Sequence, residues 1–295
     1  MNLGFCTITS RSRLCQGVAL YNSLQKNMST FTLFFLCTDS EAYNILKGMQ
    51  LSKAVILQLS EVEDEELLSI KGERTENEYC WTLKPFFLSY IMASFPHIDT
   101  ITHVDADLYF FSDPYTIFHE GAKHSVLLTR HLHAVNDDIN SGFVSFKRDA
   151  QGQLCLEWWK RQCIDWCYFR QEGNKFGDQA YLNEMLANFK GILVVQTPGV
   201  NIAPWNSYRF NFTRRDPKIY VNDDILIFYH FCGFRMINSK EYAIIYTPED
   251  IPVIYEPYIS ELGGIVRQVE NISPGFCDRS YEPISPDKIL RRGFF

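Results

Sequence analysis

The sequence has no long hydrophobic run. Its longest strongly apolar stretch, Phe31 to Cys37, has seven residues, whereas a membrane-spanning helix needs roughly twenty. The first thirty residues also lack a basic start followed by an apolar stretch and a small-residue cleavage site, so no secretory leader is expected. Cations are in deficit, with 28 Lys and Arg against 35 Asp and Glu and a net charge of −7. That balance argues against a nucleic-acid binder, whose affinity rests on clustered cations that release counterions. Any anionic ligand must be met locally. Paired cysteine spacings are missing too, since the nine cysteines are an odd number without zinc-type pairs. A reducing, cytoplasmic setting is expected. Cys163 and Cys167 are four residues apart. On one helix they would share a face, either as ligands of an ion or as small apolar residues facing a core. There is no internal repeat and no low-complexity linker.

What remains is ample for one fold. A chain of 295 residues with 46% apolar content buries roughly 70–75% of the surface its unfolded form exposes. Apolar strand-like runs occur at Leu3–Thr9, Thr32–Cys37, Ala54–Leu59, Thr100–Val104 and Val126–Thr129, separated by amphipathic stretches such as the one carrying Leu14, Val18, Tyr21 and Leu24. This alternation predicts an α/β fold, a mostly parallel sheet covered by helices, in a single compact domain. The acidic run Glu61 to Glu66 reads as a solvated helix start. Thr82 is a candidate N-cap for a buried helix over Phe86 to Phe95, with Pro85 in its first turn and Pro96 ending it. Further helices are expected over about Gln151 to Gln171 and Asp178 to Phe189. The expected organisation is a catalytic unit over 1–250, with a nucleotide-side half over about 1–130 and an acceptor-side half over about 131–250. A C-terminal extension, packed on it or partly flexible, would follow over 251–295.

The strongest chemical signal is Ile101-Thr102-His103-Val104-Asp105-Ala106-Asp107, an apolar strand ending in two carboxylates. In an extended backbone, residues two apart project to the same side, so both carboxylates can reach one ligand. Two carboxylates beside a pyrophosphate repel by roughly 4 kcal/mol per close pair at intermediate dielectric, which calls for a divalent cation. Hard oxygen donors suit Mg²⁺ or Mn²⁺. A solvated pair in a loop after a strand is the plain alternative.

The order of several short motifs resembles GT-A-type nucleotide-sugar glycosyltransferases, especially family 8, which includes glycogenin and bacterial galactosyltransferases. The opening Phe5-Cys6-Thr7-Ile8-Thr9-Ser10 is similar to that family's first strand and nucleotide-binding turn, and Val104-Asp105-Ala106-Asp107 to its metal-binding DxD element. Asn140-Ser141-Gly142 resembles the segment beside the donor sugar, and Gly177-Asp178-Gln179 the element under the anomeric carbon. His230-Phe231-Cys232-Gly233 is similar to the His-x-x-Gly that supplies a third metal ligand, although no Lys-Pro-Trp follows Gly233 here.

The resemblance implies a GT-A-type, Rossmann-like sheet and a metal-dependent transfer from a nucleoside diphosphate sugar, UDP-linked, to a glycan or glycolipid hydroxyl with retained configuration. It implies a cation on Asp105, Asp107 and His230, and Asp178 or Gln179 as the catalytic residue. Thr7, Thr9, Ser10, Arg11, Lys84, Ala106, Asn140, Ser141, Gly142 and Gly233 would complete the donor site. His230 is otherwise a core histidine after the apolar run Ile225 to Tyr229, Asp178 a helix cap, Lys84 a surface lysine and Trp205 a core or sugar-stacking ring. Sugar nucleotidyltransfer is a second enzyme class, but it opens with a Gly-rich phosphate loop, and Thr7 to Arg13 contains no Gly. Haloacid-type phosphatases need a small hydroxyl residue where Tyr109 stands. A carbohydrate-binding protein without turnover is the non-enzymatic reading. The tail Arg291-Arg292-Gly293-Phe294-Phe295 mixes cations with aromatics, as a weak peripheral membrane contact would.

Overall fold

The computed structural model describes residues 1–133, 138–246, 251–279, 281 and 284–295. The chain enters on β1 (Leu3–Thr9) and continues through α1 (Leu14–Asn27), β2 (Thr32–Cys37), α2 (Ser40–Gly48) and β3 (Ala54–Gln58). Two helices, α3 (Glu65–Lys71) and α4 (Glu76–Ser94), lead to β4 (Thr100–Val104), β5 (Leu108–Phe110), α5 (Tyr115–Glu120), β6 (Val126–Arg130) and β7 (Ile139–Lys147). After α6 (Ala150–Asp165), α7 (Ala180–Asn188) and β8 (Ile192–Val194) come the short strands β9 (Phe212–Arg215), β10 (Lys218–Val221), β11 (Asp224–Ile225), β12 (Phe228–His230), β13 (Phe234–Met236) and β14 (Glu241–Ile244). The chain closes with α8 (Pro252–Ile272), α9 (Phe276–Arg279) and β15 (Arg291–Phe294).

Seven strands form the central sheet in the order β3-β2-β1-β4-β7-β6-β8. All pair in parallel except β7, which runs antiparallel between β4 and β6. The apolar runs of β1 and β2 follow from burial on both faces, the usual condition of parallel strands. Phe5, Leu33 and Phe35 enter a core shared with α1 and α8, while Cys6, Phe34 and Leu36 enter one shared with α4 and α6. No helix among the described residues is long and apolar enough to cross a membrane.

The expected strands hold to within a residue, but β7 escapes the pattern, because Asn140, Ser141 and Gly142 interrupt its apolar run. Helix α4 begins at Glu76 rather than near Thr82. Thr75 caps it reciprocally with Glu78, a capping box of the kind that contributes about 1 kcal/mol. Thr82 is instead buried, its hydroxyl donating to the Glu78 carbonyl at 2.9 Å. Helix α6 stops at Asp165 and not at Gln171, since the buried Arg74 guanidinium donates to the carbonyls of Cys163 and Ile164 at 2.8 and 2.7 Å and ends the turn. Cys163 and Cys167 therefore do not share one helix face; both are buried thiols in the core. Asp178 does not cap α7, whose N-cap is Gln179 without a side-chain bond.

Candidate active site

The site forms where β4 ends. The Asp105 amide donates to the Gly142 carbonyl at 2.9 Å, and the Leu108 amide to the Asp105 carbonyl at 3.0 Å, so the chain turns tightly through Asp105-Ala106-Asp107. Antiparallel pairing of β5 with β12 sets His230 opposite Leu108, and the Phe231 amide donates to the Asp107 carbonyl at 2.8 Å. A histidine more than a hundred residues away in sequence is thus delivered beside the two carboxylates. Ligand atoms of Asp105, Asp107 and His230 all lie within 4.8 Å of one another. His230 Nε2 is 3.1 Å from Asp107 Oδ1 and 3.8 Å from Asp105 Oδ2.

The other oxygen of Asp105 is committed. Its Oδ1 lies 3.0 Å from both Lys84 Nζ and His103 Nε2, which leaves Oδ2 facing the triad. Burial pushes the Asp105 carboxyl up, but the Lys84 charge and the His103 contact outweigh it and hold the group well below the usual carboxylate range. Burial likewise opposes ionisation of Asp107, yet His230 and then Arg13 bring it down to about 2. Both carboxylates stay ionised at neutral pH. An oxygen, oxygen and imidazole set fits a hard or borderline divalent ion such as Mg²⁺ or Mn²⁺. His230 Nδ1 is buried and has no hydrogen-bond partner among the described residues. The ring is oriented by packing instead, edge-on to Trp205 at 5.2 Å and against Gly142.

These groups open onto a cleft of about 1180 Å³ at the carboxyl end of the sheet, where open α/β sheets bind ligands. Ser10, Arg11, Lys84, Asp105, Ala106 and Asp107 line it, as do Asn140, Ser141, Asp178, Gln179 and His230. Thr7, Thr9, Gly142 and Gly233 do not. Thr7 and Thr9 are buried inside β1, and it is Ile8 and Ser10 that reach the surface of the cleft. Gly142 serves His230, since a Cβ there would come 2.7 Å from its Cε1. Gly233 adopts a φ of +86°, and a Cβ there would come 2.6 Å from Tyr246 Cδ2.

Lys84 is a buried residue of the cleft lining and not a surface lysine. Its buried ammonium donates to Ser141 Oγ at 3.1 Å and forms ion pairs with Asp105 at 3.0 Å and with Asp178 Oδ2 at 3.3 Å. Asp178 and Gln179 both reach the cleft, because they lie in the turn before α7 rather than adjacent on a helix. Gln179 Oε1 accepts from Asn140 Nδ2 and the Ser141 amide at 3.2 and 3.3 Å.

No family model matches the chain. Two proteins of Bacillus subtilis (strain 168) match it almost end to end. The uncharacterized protein YfnF is 36% identical over 293 residues, covering 94% of this chain and 97% of its own. The uncharacterized protein YfnD is 35% identical over 289 residues, covering 93% of each. The chain belongs to the family of YfnF and YfnD.

Among solved structures, mouse xyloside xylosyltransferase 1 superposes with a TM-score of 0.52 at 12% identity, over 78% of this chain and 97% of that one. The galactosyltransferase LgtC, solved with donor and acceptor sugar analogs, gives 0.53 at 12% over 96% and 98%. The glycosyltransferase GlyE of Streptococcus pneumoniae TIGR4 gives 0.56 at 11%, over 96% of this chain and 65% of GlyE. This member of the YfnF and YfnD family therefore has the GT-A glycosyltransferase fold, with an acidic pair and a histidine gathered at the carboxyl edge of its sheet.

Three further charged or titratable groups of this family member stand beside the acidic pair, of which only Arg235, the one cation near Gly233, stood out in the sequence. His103 was readable, because it sits two residues before Asp105 on the same strand. Burial and the Lys84 charge press its pKa down. Arg13 and Arg235 converge on the cleft from distant segments. Arg13 lies 3.9 Å from Asp107 Oδ2. Burial and the Arg13 charge both lower the pKa of Arg235, and the two cations line the same cleft.

Proposed function

We propose that the chain is a glycosyltransferase that moves a sugar from a nucleoside diphosphate sugar, UDP-linked, to a hydroxyl of a glycan or glycolipid, with Mn²⁺ or Mg²⁺ as cofactor. The observation that carries this reading is the convergence of Asp105, Asp107 and His230 within 4.8 Å at the mouth of a deep cleft in a GT-A fold. Asp105 Oδ2, a carboxylate oxygen of Asp107 and His230 Nε2 would hold the cation. When bound, it supplies charge neutralisation for the departing diphosphate. Arg13 and Arg235, with Lys84 beside them in the cleft lining, take the remaining phosphate charge.

In the reaction the bond from the anomeric carbon to the diphosphate oxygen breaks, the acceptor oxygen bonds to that carbon, and the acceptor proton passes to the departing diphosphate. The Lys84 ion pairs to Asp105 and Asp178 favour Asp178 as the carboxylate that acts on the donor sugar. Its charge stabilises a developing oxocarbenium ion. Asn140 and Gln179 hold each other in place to bind sugar hydroxyls. Retention of configuration, a cytoplasmic location and a weak membrane contact through Leu290 and Phe294, which are exposed beside Arg291 and Arg292, belong to the same reading. So does a division into a nucleotide half over 1–130 and an acceptor half over 131–250, followed by an extension.

The test is release of nucleotide from a panel of nucleotide sugars with and without Mn²⁺. A transferase releases nucleoside diphosphate in a cation-dependent way. Pyrophosphate made from a nucleoside triphosphate and a sugar phosphate would point to nucleotidyltransfer instead, and donor binding without release would point to a binding protein.

A further inference from the structure

The cleft wall carries two aromatic rings with a third packed on both. Trp81 comes from α4, and Phe169 and Phe176 come from the loop between α6 and α7. The Phe169 ring lies 5.7 Å from Trp81 and 5.5 Å from Phe176, and Trp81 lies 6.4 Å from Phe176. Trp81 and Phe176 line the cleft, and Phe169, packed against both, is 69% exposed. Leaving a phenyl ring in water forfeits the free energy of burying it, and contiguous exposed apolar surface marks a binding site.

The cluster is built rather than incidental. The Phe169 amide donates to Glu78 Oε1 at 2.7 Å, and Glu78 is itself fixed by the Thr75 amide and hydroxyl at 2.8 Å. Gly177 adopts a φ of +54°, and a Cβ there would approach Trp81 to 3.1 Å, so glycine lets the loop press on the indole.

Position identifies the occupant. Lys84 lies between Asp105 of the triad and Asp178, and Phe176, which also lines the cleft, precedes Asp178 by two residues. Trp81 stands one helical turn before Lys84 on the same face of α4. A donor sugar held between the triad and Asp178 therefore has the aromatic cluster as its next neighbour. A pyranose presents an apolar face of C–H groups and a rim of hydroxyls. Rings flanked by Glu76 and Asn77, which line the same wall, complement both. We propose that Trp81, Phe169 and Phe176 form the acceptor subsite and receive the apolar face of the terminal pyranose of the acceptor glycan. This inference rests on the glycosyltransferase reading for its name, but the binding it requires is measurable without turnover.

Methyl glycosides of glucose, galactose, mannose and N-acetylglucosamine are the probes, followed by saturation-transfer NMR on the full chain, first alone and then with UDP and Mn²⁺. At least one glycoside should receive saturation most strongly on its ring C–H protons. Its dissociation constant should rise about tenfold in Phe169→Ala, whose exposed ring contributes little to folding, and in Trp81→Ala. Trp81→Phe, which keeps a ring, should recover most of the affinity. UDP affinity should stay within about twofold of wild type in all three. Failure of every glycoside to bind, equal affinity in Phe169→Ala, or a wild-type dimer in sedimentation that Phe169→Ala dissociates would overturn the subsite. Failure of UDP to bind while a glycoside still does would sink the donor reading and leave the subsite standing.

Discussion

Lys84 and Asp178 form a buried ion pair, Nζ to Oδ2 at 3.3 Å, and the same ammonium lies 3.0 Å from Asp105. Burial alone would lower the lysine pKa, but the two carboxylates outweigh it and raise it above its ordinary value. The contribution to stability is therefore complete below the unfolded lysine pKa and disappears only as pH rises through the higher folded one. Removing one partner of such a cluster strands the others. Lys84→Met should cost about 3–5 kcal/mol in urea denaturation at neutral pH. Adding Asp178→Asn to that variant should recover part of the loss; additive losses would contradict a shared cluster.

The acid limb tests the electrostatics of Asp107. Its folded pKa of about 2 lies below the unfolded value near 3.9, so the unfolded chain binds the proton first. The stabilisation is present above about pH 4 and is lost as pH falls toward 2. Asp107→Asn removes it, and the stability gap between wild type and variant should narrow over that window in the absence of metal. A gap that stays constant from pH 6 to pH 2 would refute the assignment.

Gly142→Ala probes the packing of the histidine ligand. The new methyl would overlap His230 Cε1, at 2.7 Å, and Asn140 Oδ1, at 2.8 Å. Displacing the ring should weaken Mn²⁺ binding by about tenfold, or about 1.4 kcal/mol, as read by calorimetry. Circular dichroism should show the sheet retained.

Arg235→Ala should raise the dissociation constant for UDP about tenfold, the scale of one hydrogen bond to a charged group, and flatten its salt dependence. An unchanged constant would remove Arg235 from the diphosphate site.

How much of this was legible in the sequence follows from where the information lies. The spans Leu3–Thr9, Thr32–Cys37 and Thr100–Val104 are buried strands whose apolar runs announce them, and they match the structure residue for residue. Strand β7 was hidden because it carries Asn140 and Ser141 into the cleft, so local function broke the pattern that marks structure. The Thr75-x-x-Glu78 capping box was present, but Pro85 drew the expected helix start toward itself. The chain instead tolerates that proline inside α4. Helix α8, with Ile254, Tyr258, Leu262, Ile265 and Val269 on its buried face, is interrupted to the eye by Pro257, Gly263 and Gly264.

The acidic pair at the site could be read from two-residue spacing. The arrival of Arg13 and Arg235 depends on long-range packing that no local window contains. The role of Gly142 belongs to the same class, because its constraint is set by His230, nearly ninety residues on.

The central claim is that Asp105, Asp107 and His230 share one divalent ion on which nucleotide binding depends. Calorimetric titration of UDP into the wild type and Asp107→Asn, each with Mn²⁺ and with chelator, measures it directly. The wild type should bind UDP strongly only with Mn²⁺, and Asp107→Asn should lose that dependence while still unfolding in a single cooperative transition. Tight UDP binding by the wild type in chelator, or an intact Mn²⁺ dependence in Asp107→Asn, would contradict the claim.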